Sequence, residues 1–206
     1  MNQASSTTTL QLTLPRDQAV RFFPLFQQGI RLKVRVGCSL KQLLGEQLGL
    51  APDYLEERVQ TLFLDGKVVD DLENAFIRDG SVIALSAALP GLAGATLRRG
   101  GPVASMRSQI TYGVAEKTGE QGDGMVVVKL FNLLLNELAP FFLERGLYIL
   151  RKDCEDFLRS LPQEFWRGCR KAEVDGKEVN FKTIMGVQGF SNHRWVFFSI
   201  HFSHSP

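Results

Sequence analysis

The chain has 206 residues, with 24 Lys or Arg against 22 Asp or Glu, and 44% of it is hydrophobic, including 15 Phe. That is the make-up of a globular protein with a real core, built as one large domain or two small ones. A net charge of +2 is too small to argue for nucleic acid or a membrane surface as the partner.

The opening residues, MNQASSTTTLQ, have neither a charged n-region nor an apolar h-region, so no signal peptide is expected. Leu10, Leu12 and Leu14 then alternate with Gln11 and Thr13, which predicts a short half-buried strand closed by Pro15. In Arg16 to Phe26, Phe22, Phe23, Leu25 and Phe26 call for burial, while Pro24 forbids a regular helix through them. Ile30, Leu32, Val34 and Val36 face one way and Arg31, Lys33 and Arg35 the other, giving a strand with a buried face and a basic, wet face. That basic stripe reads as solubility and edge protection before it reads as a docking surface.

Ser39 offers an N-cap, with Gln42 at the capping-box position. Leu40, Leu43, Leu44 and Leu48 fall on one helical face, Gly49 is placed to stop the helix, and Pro52 prevents its return. Val59 to Leu64 reads as a strand, Asp65-Gly66 as a two-residue type I′ hairpin turn, and Lys67 to Val69 as the returning strand. Asp79-Gly80 makes a second turn, and Val82 to Leu85 is the closing strand of this half.

The order strand, strand, helix, hairpin, turn, strand, with Ser39 to Leu48 as the helix and LFLDGKVVDDLENAFIRDGSVIALSAAL as hairpin, turn and last strand, resembles the ubiquitin-like β-grasp proteins of the sulfur-carrier type. These are the small subunit of molybdopterin synthase and the thiamine-pathway sulfur carrier. The resemblance covers residues 9–101 and implies a four- or five-stranded mixed sheet wrapped round one helix. It also implies a carrier or modifier precursor whose terminal Gly-Gly carboxylate is activated by an adenylating enzyme, after a processing protease has exposed it.

Two ends are candidates for that carboxylate. Leu97-Arg98-Arg99-Gly100-Gly101 has the glycine pair and a ubiquitin-like lead-in, and Gly94 lies nearer the last strand without a pair. Gly101 is followed by Pro102 and another 104 residues, so Leu89 to Gly101 also reads as a flexible interdomain loop with solvated arginines. No Gly-Lys-Ser/Thr follows these glycines, so the phosphate-loop pattern fails.

Residues 102–124 read as a linker with a short strand, Gln109 to Val114, and an exposed loop from Glu116 to Gly124. The apolar run from Met125 to Leu135 is too short and too polar to span a bilayer. Lys129, Asn132 and Asn136 make one polar stripe on it, which predicts a helix packed on most sides. Phe141 to Leu150 and Glu155 to Leu161 continue as helix before Pro162. Lys171 to Val174 and Lys177 to Phe181 flank Asp175-Gly176 as a second hairpin, and Arg194 to Ser203 is a strand with Val196, Phe198, Ile200 and Phe202 on its buried face. Trp195, Phe197, Ser199 and His201 make its mixed opposite face.

No catalytic constellation emerges. His201 and His204 point to opposite faces of a strand, and His193 and His201 lie about 26 Å apart at roughly 3.3 Å per residue, so no metal site is expected. Cys38, Cys154 and Cys169 form no CxxC and leave an odd thiol, which points to reduced cysteines in a cytoplasmic protein. The expected whole is therefore α+β, a ubiquitin-like β-grasp (9–101), a linker (102–124) and a second small α+β module (125–206), with no cofactor. The leading functional expectation is a non-enzymatic carrier precursor or interaction module. The alternative is an enzyme or ligand-binding protein in which Arg98, Arg99 and Arg107 bind an anion where the halves meet.

Overall fold

The computed structural model describes residues 7–113, 121–180, 184 and 193–203. In chain order it runs β1 (Thr7–Pro15), a 3₁₀ segment (Arg16–Phe22), α1 (Phe23–Gln28), β2 (Ile30–Val36), a π-wound helix (Gln42–Gln47), α2 (Pro52–Glu57), β3 (Thr61–Leu64), β4 (Lys67–Val68) and β5 (Val82–Ser86). There follow α3 (Gly91–Leu97), a second 3₁₀ segment (Ala104–Ile110), β6 (Gly122–Phe131), α4 (Leu133–Arg145), β7 (Leu147–Leu150), α5 (Arg151–Ser160), α6 (Gln163–Gly168), β8 (Lys171–Val174), β9 (Lys177–Glu178) and β10 (Trp195–Ser203). The fold is mixed α+β. Its contacts divide the chain into Leu25–Glu137 and a discontinuous unit of Met1–Pro24 with Leu138–Pro206, so the division falls elsewhere than residues 101 and 125.

In Leu25–Glu137 five strands lie in the order β2-β6-β5-β3-β4. The β5–β6 pair is parallel and the others antiparallel. The register aligns the apolar residues of neighbouring strands on one face: Ile30 is opposite Val128, which is opposite Ile83, which is opposite Leu64. All four are at most 2% exposed. Because the side-chain period of a strand is two, a one-residue slip would turn every one of them outward, and this fixes the register.

The capping box forms as the sequence predicts: Gln42 N–H donates to Ser39 Oγ at 3.2 Å, and Ser39 N–H to Gln42 Oε1 at 3.3 Å. The helix it opens is wound more widely than an α-helix, with Leu48 N–H reaching Leu43 carbonyl at 2.9 Å. Leu40, Leu43, Leu44 and Leu48 are all buried. Gln47 ties the helix to β2 by accepting Arg35 N–H at 2.8 Å and donating to Arg35 carbonyl at 2.9 Å.

Several expectations beyond residue 101 need correction. Met125 to Leu135 is helix only in its last three residues, where α4 begins. Its first part is β6, with Val126, Val128 and Leu130 fully buried and Met125, Val127 and Lys129 half-buried between them. A run of three valines favours the pleated chain, and Asn132, at φ +55°, ends it. Lys129 and Asn136 therefore belong to different elements and make no stripe. Gln109 to Ile110 is 3₁₀, followed by a single bridge from Thr111 to Val68, so the short strand is absent there. Val114 and most of the Glu116 loop lie outside the described residues. Gly146, at φ +90°, ends α4, and Leu147–Leu150 is strand instead of continued helix.

The second unit has the order β7-β10-β1-β8-β9. The strand expected to open the first half, β1, lies instead in this sheet, parallel to β10 over nine residue pairs and antiparallel to β8. Leu10, Leu12 and Leu14 oppose Phe198, Ile200 and Phe202, and all six are buried. Phe22 closes this core, its ring 5.4 to 5.8 Å from those of Phe157, Phe165 and Phe198. Pro24 is accommodated as the second residue of the short α1, where no intrahelical N–H is needed.

The strands of the two units share one plan: an outer antiparallel pair, a central parallel pair, another antiparallel pair, and an Asp-Gly hairpin at the far side. The hairpins read Leu64-Asp65-Gly66-Lys67 and Val174-Asp175-Gly176-Lys177. Asp65 and Asp175 sit at φ +50° and +49°, as a type I′ turn requires of its first central residue. The second hairpin is thus as expected up to Glu178, and Phe181 lies outside the described residues.

Candidate functional site: the glycine and arginine segment

Leu89 to Gly101 is structured, which corrects its reading as a flexible loop or tail. Gly91–Leu97 is helix α3, and Gly94 within it is buried. A Cβ on Gly94 would lie 1.8 Å from the Leu89 carbonyl oxygen, so this glycine permits a close crossing of backbone. After α3 the chain is tied to the sheet, with Arg99 N–H donating to the Gln60 carbonyl at 2.8 Å.

Arg107 holds the segment from the other side. Its Nε donates to the Thr96 carbonyl at 2.6 Å, and Nη2 donates to the Arg98 carbonyl at 3.2 Å and to Asp70 Oδ1 at 2.7 Å. Nη1 reaches Thr111 Oγ1 at 3.0 Å, and the residue is 3% exposed. Asp70 Oδ1 also accepts the Gly100 N–H at 2.8 Å. Partial burial works to raise the Asp70 carboxyl, but the Arg107 and Gly100 hydrogen bonds and the nearby arginine charges outweigh it and hold the group below its ordinary value.

The three arginines proposed as anion contacts are therefore not brought together for one ligand. Arg107 is buried and neutralised by Asp70. Arg99 is half-buried, donates from Nη2 to the Leu55 carbonyl at 2.7 Å, and has its tendency to carry charge reduced by burial. It lines a cavity of about 630 Å³ together with Leu50, Leu55 and Leu72 and with the charged residues Lys41, Glu46, Glu56 and Asp70. Arg98 is exposed and lines a different, smaller cavity of about 230 Å³ together with Gln60, Thr61, Leu89 and Gly91.

Of the candidate carrier residues, Gly100 and Gly101 follow α3 in a turn where Gly101 N–H donates to the Arg98 carbonyl at 3.1 Å, and Gly94 lies inside the helix. None of them is a free end.

The thiols are not poised for nucleophilic work. Burial pushes Cys154 up to about 12 and raises Cys38 and Cys169 as well. Among the described residues no three His, Cys, Asp or Glu side chains cluster as metal ligands, and no helix is long and apolar enough to cross a membrane. His201 is exposed on β10, His193 precedes that strand, and His204 lies outside the described residues.

The sequence reading missed Asp70. Asp70 carried no local signal, because its ion pair with Arg107 joins residues 37 positions apart. Compared with protein-family models, curated proteins and solved structures, the chain matches none of them.

Proposed function

We propose that the protein is a non-enzymatic, ubiquitin-like β-grasp interaction module in which LPGLAGATLRRGG is a structural strap instead of a conjugation tail. A five-stranded mixed sheet packed with one leucine-faced helix in Leu25–Glu137 supports the β-grasp reading. Its fifth strand, β6, comes from beyond the Gly-Gly pair and lies between β2 and β5. The observation that carries the reading is the junction of Arg107, Asp70 and Gly100, which binds the segment to its own domain. A tail that must thread an adenylating site in extended form needs no such anchor. The cavity lined by Leu50, Leu55 and Leu72 is the place for an apolar side chain from a partner segment, with Glu46, Glu56 and Arg99 to select its polar flanks.

The test is a full-length chain with a protease site inserted after Gly101, cut so that β6 stays in place. Circular dichroism checks that the fold survives the cut. Offered ATP and an adenylating enzyme that accepts Gly-Gly termini, the cut protein is expected to gain no adenylate, thiocarboxylate or thioester by intact mass. Formation of any of these on the folded, cut protein would return the segment to the carrier reading.

A further inference from the structure

We infer that the partner segment taken by the larger cavity is basic: an apolar anchor, leucine or phenylalanine, flanked by lysine or arginine. This rests on the interaction-module reading and gives the partner its sign. The volume, about 630 Å³, falls in the range of pockets that bury a drug-sized ligand, about 300–1,000 Å³. An apolar side chain therefore fits with room for its neighbours. Three stretches of chain converge on the cavity: residues 41–56, residues 70–72 and Arg99. Leu50, Pro52, Leu55 and Leu72 supply its apolar surface.

Five charged residues line the cavity, and three of them are already committed within the protein. Lys41 pairs with Glu73, and Asp70 with Arg107 and the Gly100 N–H. Arg99 gives Nη2 to the Leu55 carbonyl, and burial weakens its hold on charge. Glu46 and Glu56 remain. They stand on two different helices, the π-wound helix and α2, and both are exposed. Neither side chain makes a hydrogen bond or ion pair among the described residues. Two uncommitted carboxylates beside an apolar cavity attract a cation on the segment that fills it and repel an acidic one. Exposed charge pairs add little affinity, so the apolar anchor supplies the binding and the glutamates choose the partner.

Gly45, which also lines the cavity, is a second and independent observation. Glycine is a poor helix residue, yet neither backbone nor crowding demands it here. Its φ is not positive, and an added Cβ would meet only the Leu50 carbonyl oxygen, at 3.9 Å, an ordinary contact. What the missing side chain does is leave the cavity open. Gly45 and Glu46 also lie in the π-wound turn, a rare conformation that recurs at functional sites.

The experiment is an NMR amide-shift titration of the full-length protein with three end-blocked peptides, Lys-Leu-Phe-Lys, Gln-Leu-Phe-Gln and Glu-Leu-Phe-Glu. Saturable shifts at Gly45 and Glu46 are expected with the lysine peptide, about fivefold tighter than with the glutamine peptide and weakest with the glutamate peptide. Added salt should shrink that preference. The double variant Glu46→Gln, Glu56→Gln changes only exposed side chains and should bring the lysine and glutamine peptides to within about twofold. Gly45→Met, with its melting temperature checked, should fill the cavity and abolish binding of all three. Equal or tighter binding of the glutamine or glutamate peptide overturns the inference and leaves the interaction-module reading standing. No saturation with any peptide overturns both. A lysine preference that survives the double variant overturns the inference, and so does binding that survives in folded Gly45→Met, because surface charge alone would then account for it.

Discussion

The Asp175 carboxylate accepts the Thr9 backbone N–H at 2.8 Å, joining residues 166 positions apart. Asp65 makes the matching bond to Val82 N–H at 2.7 Å. The second oxygens match too, taking the Thr8 hydroxyl at 2.9 Å and the Ser81 hydroxyl at 3.1 Å. Backbone bonds repeat the correspondence, since Asp65 N–H donates to Val82 carbonyl and Asp175 N–H to Thr9 carbonyl. The two units thus use one device, a hairpin aspartate that clamps the start of the neighbouring strand.

That clamp predicts an acid-sensitive second unit. The Thr9 N–H is the largest influence on Asp175; burial works against it, but the Thr8 and Thr9 hydroxyls and His193 join the Thr9 N–H to hold the carboxyl below the ordinary carboxylate range. A depressed carboxyl stabilises the fold fully above its unfolded value, about 3.9, and that contribution is lost as pH falls through the lower folded value. Asp175→Asn keeps an acceptor but not the charge, so its urea midpoint should fall less steeply than wild type below about pH 4. Parallel acid limbs for the two proteins would show that the clamp is not what titrates.

Arg107 supports a second prediction. Its guanidinium is buried and bonded to Asp70 and three other oxygens, so Arg107→Met should cost roughly 3 kcal/mol, measured by urea unfolding, because Asp70 and two carbonyls lose their donor. Combined with Asp70→Asn, the double-mutant cycle should return a coupling of about 1–3 kcal/mol. Additive losses would mean that the two residues act independently.

The helix under the sheet gives a third. Leu44→Ala should cost about 2–5 kcal/mol, since Leu44 is fully buried. Ser39→Ala should cost roughly 1 kcal/mol through loss of the reciprocal cap. A loss well below 1 kcal/mol for Leu44→Ala would place the leucine face outside the core.

Cysteine labelling gives a fourth. With its thiol buried and pushed up to about 12, Cys154 should resist an aromatic disulfide reagent at pH values where Cys38 and Cys169 react, and it should count only after denaturation. Three fast thiols in the native protein would contradict the packing of α5.

Local chemistry was legible from the residues; the pairing of distant strands was not. Ile30 to Val36, Trp195 to Ser203 and both Asp-Gly hairpins were readable because alternation and turn propensity are properties of a few adjacent residues. The Met125 to Leu135 run misled because it is apolar on both faces, as a strand buried on two sides must be, and three polar residues then mimicked a helical stripe. Nothing local in Leu10 to Leu14 says that its partner is Phe198, so the place of this strand beside β10 is not legible from the residues. The shared D-G-K of the two hairpins was the available signal that the chain repeats a plan. At the site, Arg98, Arg99 and Arg107 were visible as a group of cations, but their division between one ion pair and two separate cavities depends on tertiary folding.

Leu89–Gly101 is tied to the start of β3 within the unit that also holds β6, with the Gly-Gly pair inside it. Native-state amide hydrogen exchange on the full-length protein tests this most directly, read at Arg99, whose N–H bonds Gln60, and at Val127, whose N–H bonds Ser81. The account predicts both amides slowed by about a hundredfold or more relative to unstructured chain, with Arg99 protection falling in Arg107→Met while Val127 keeps its own. Exchange of Arg99 at the rate of a free tail, beside a protected Val127, would contradict it.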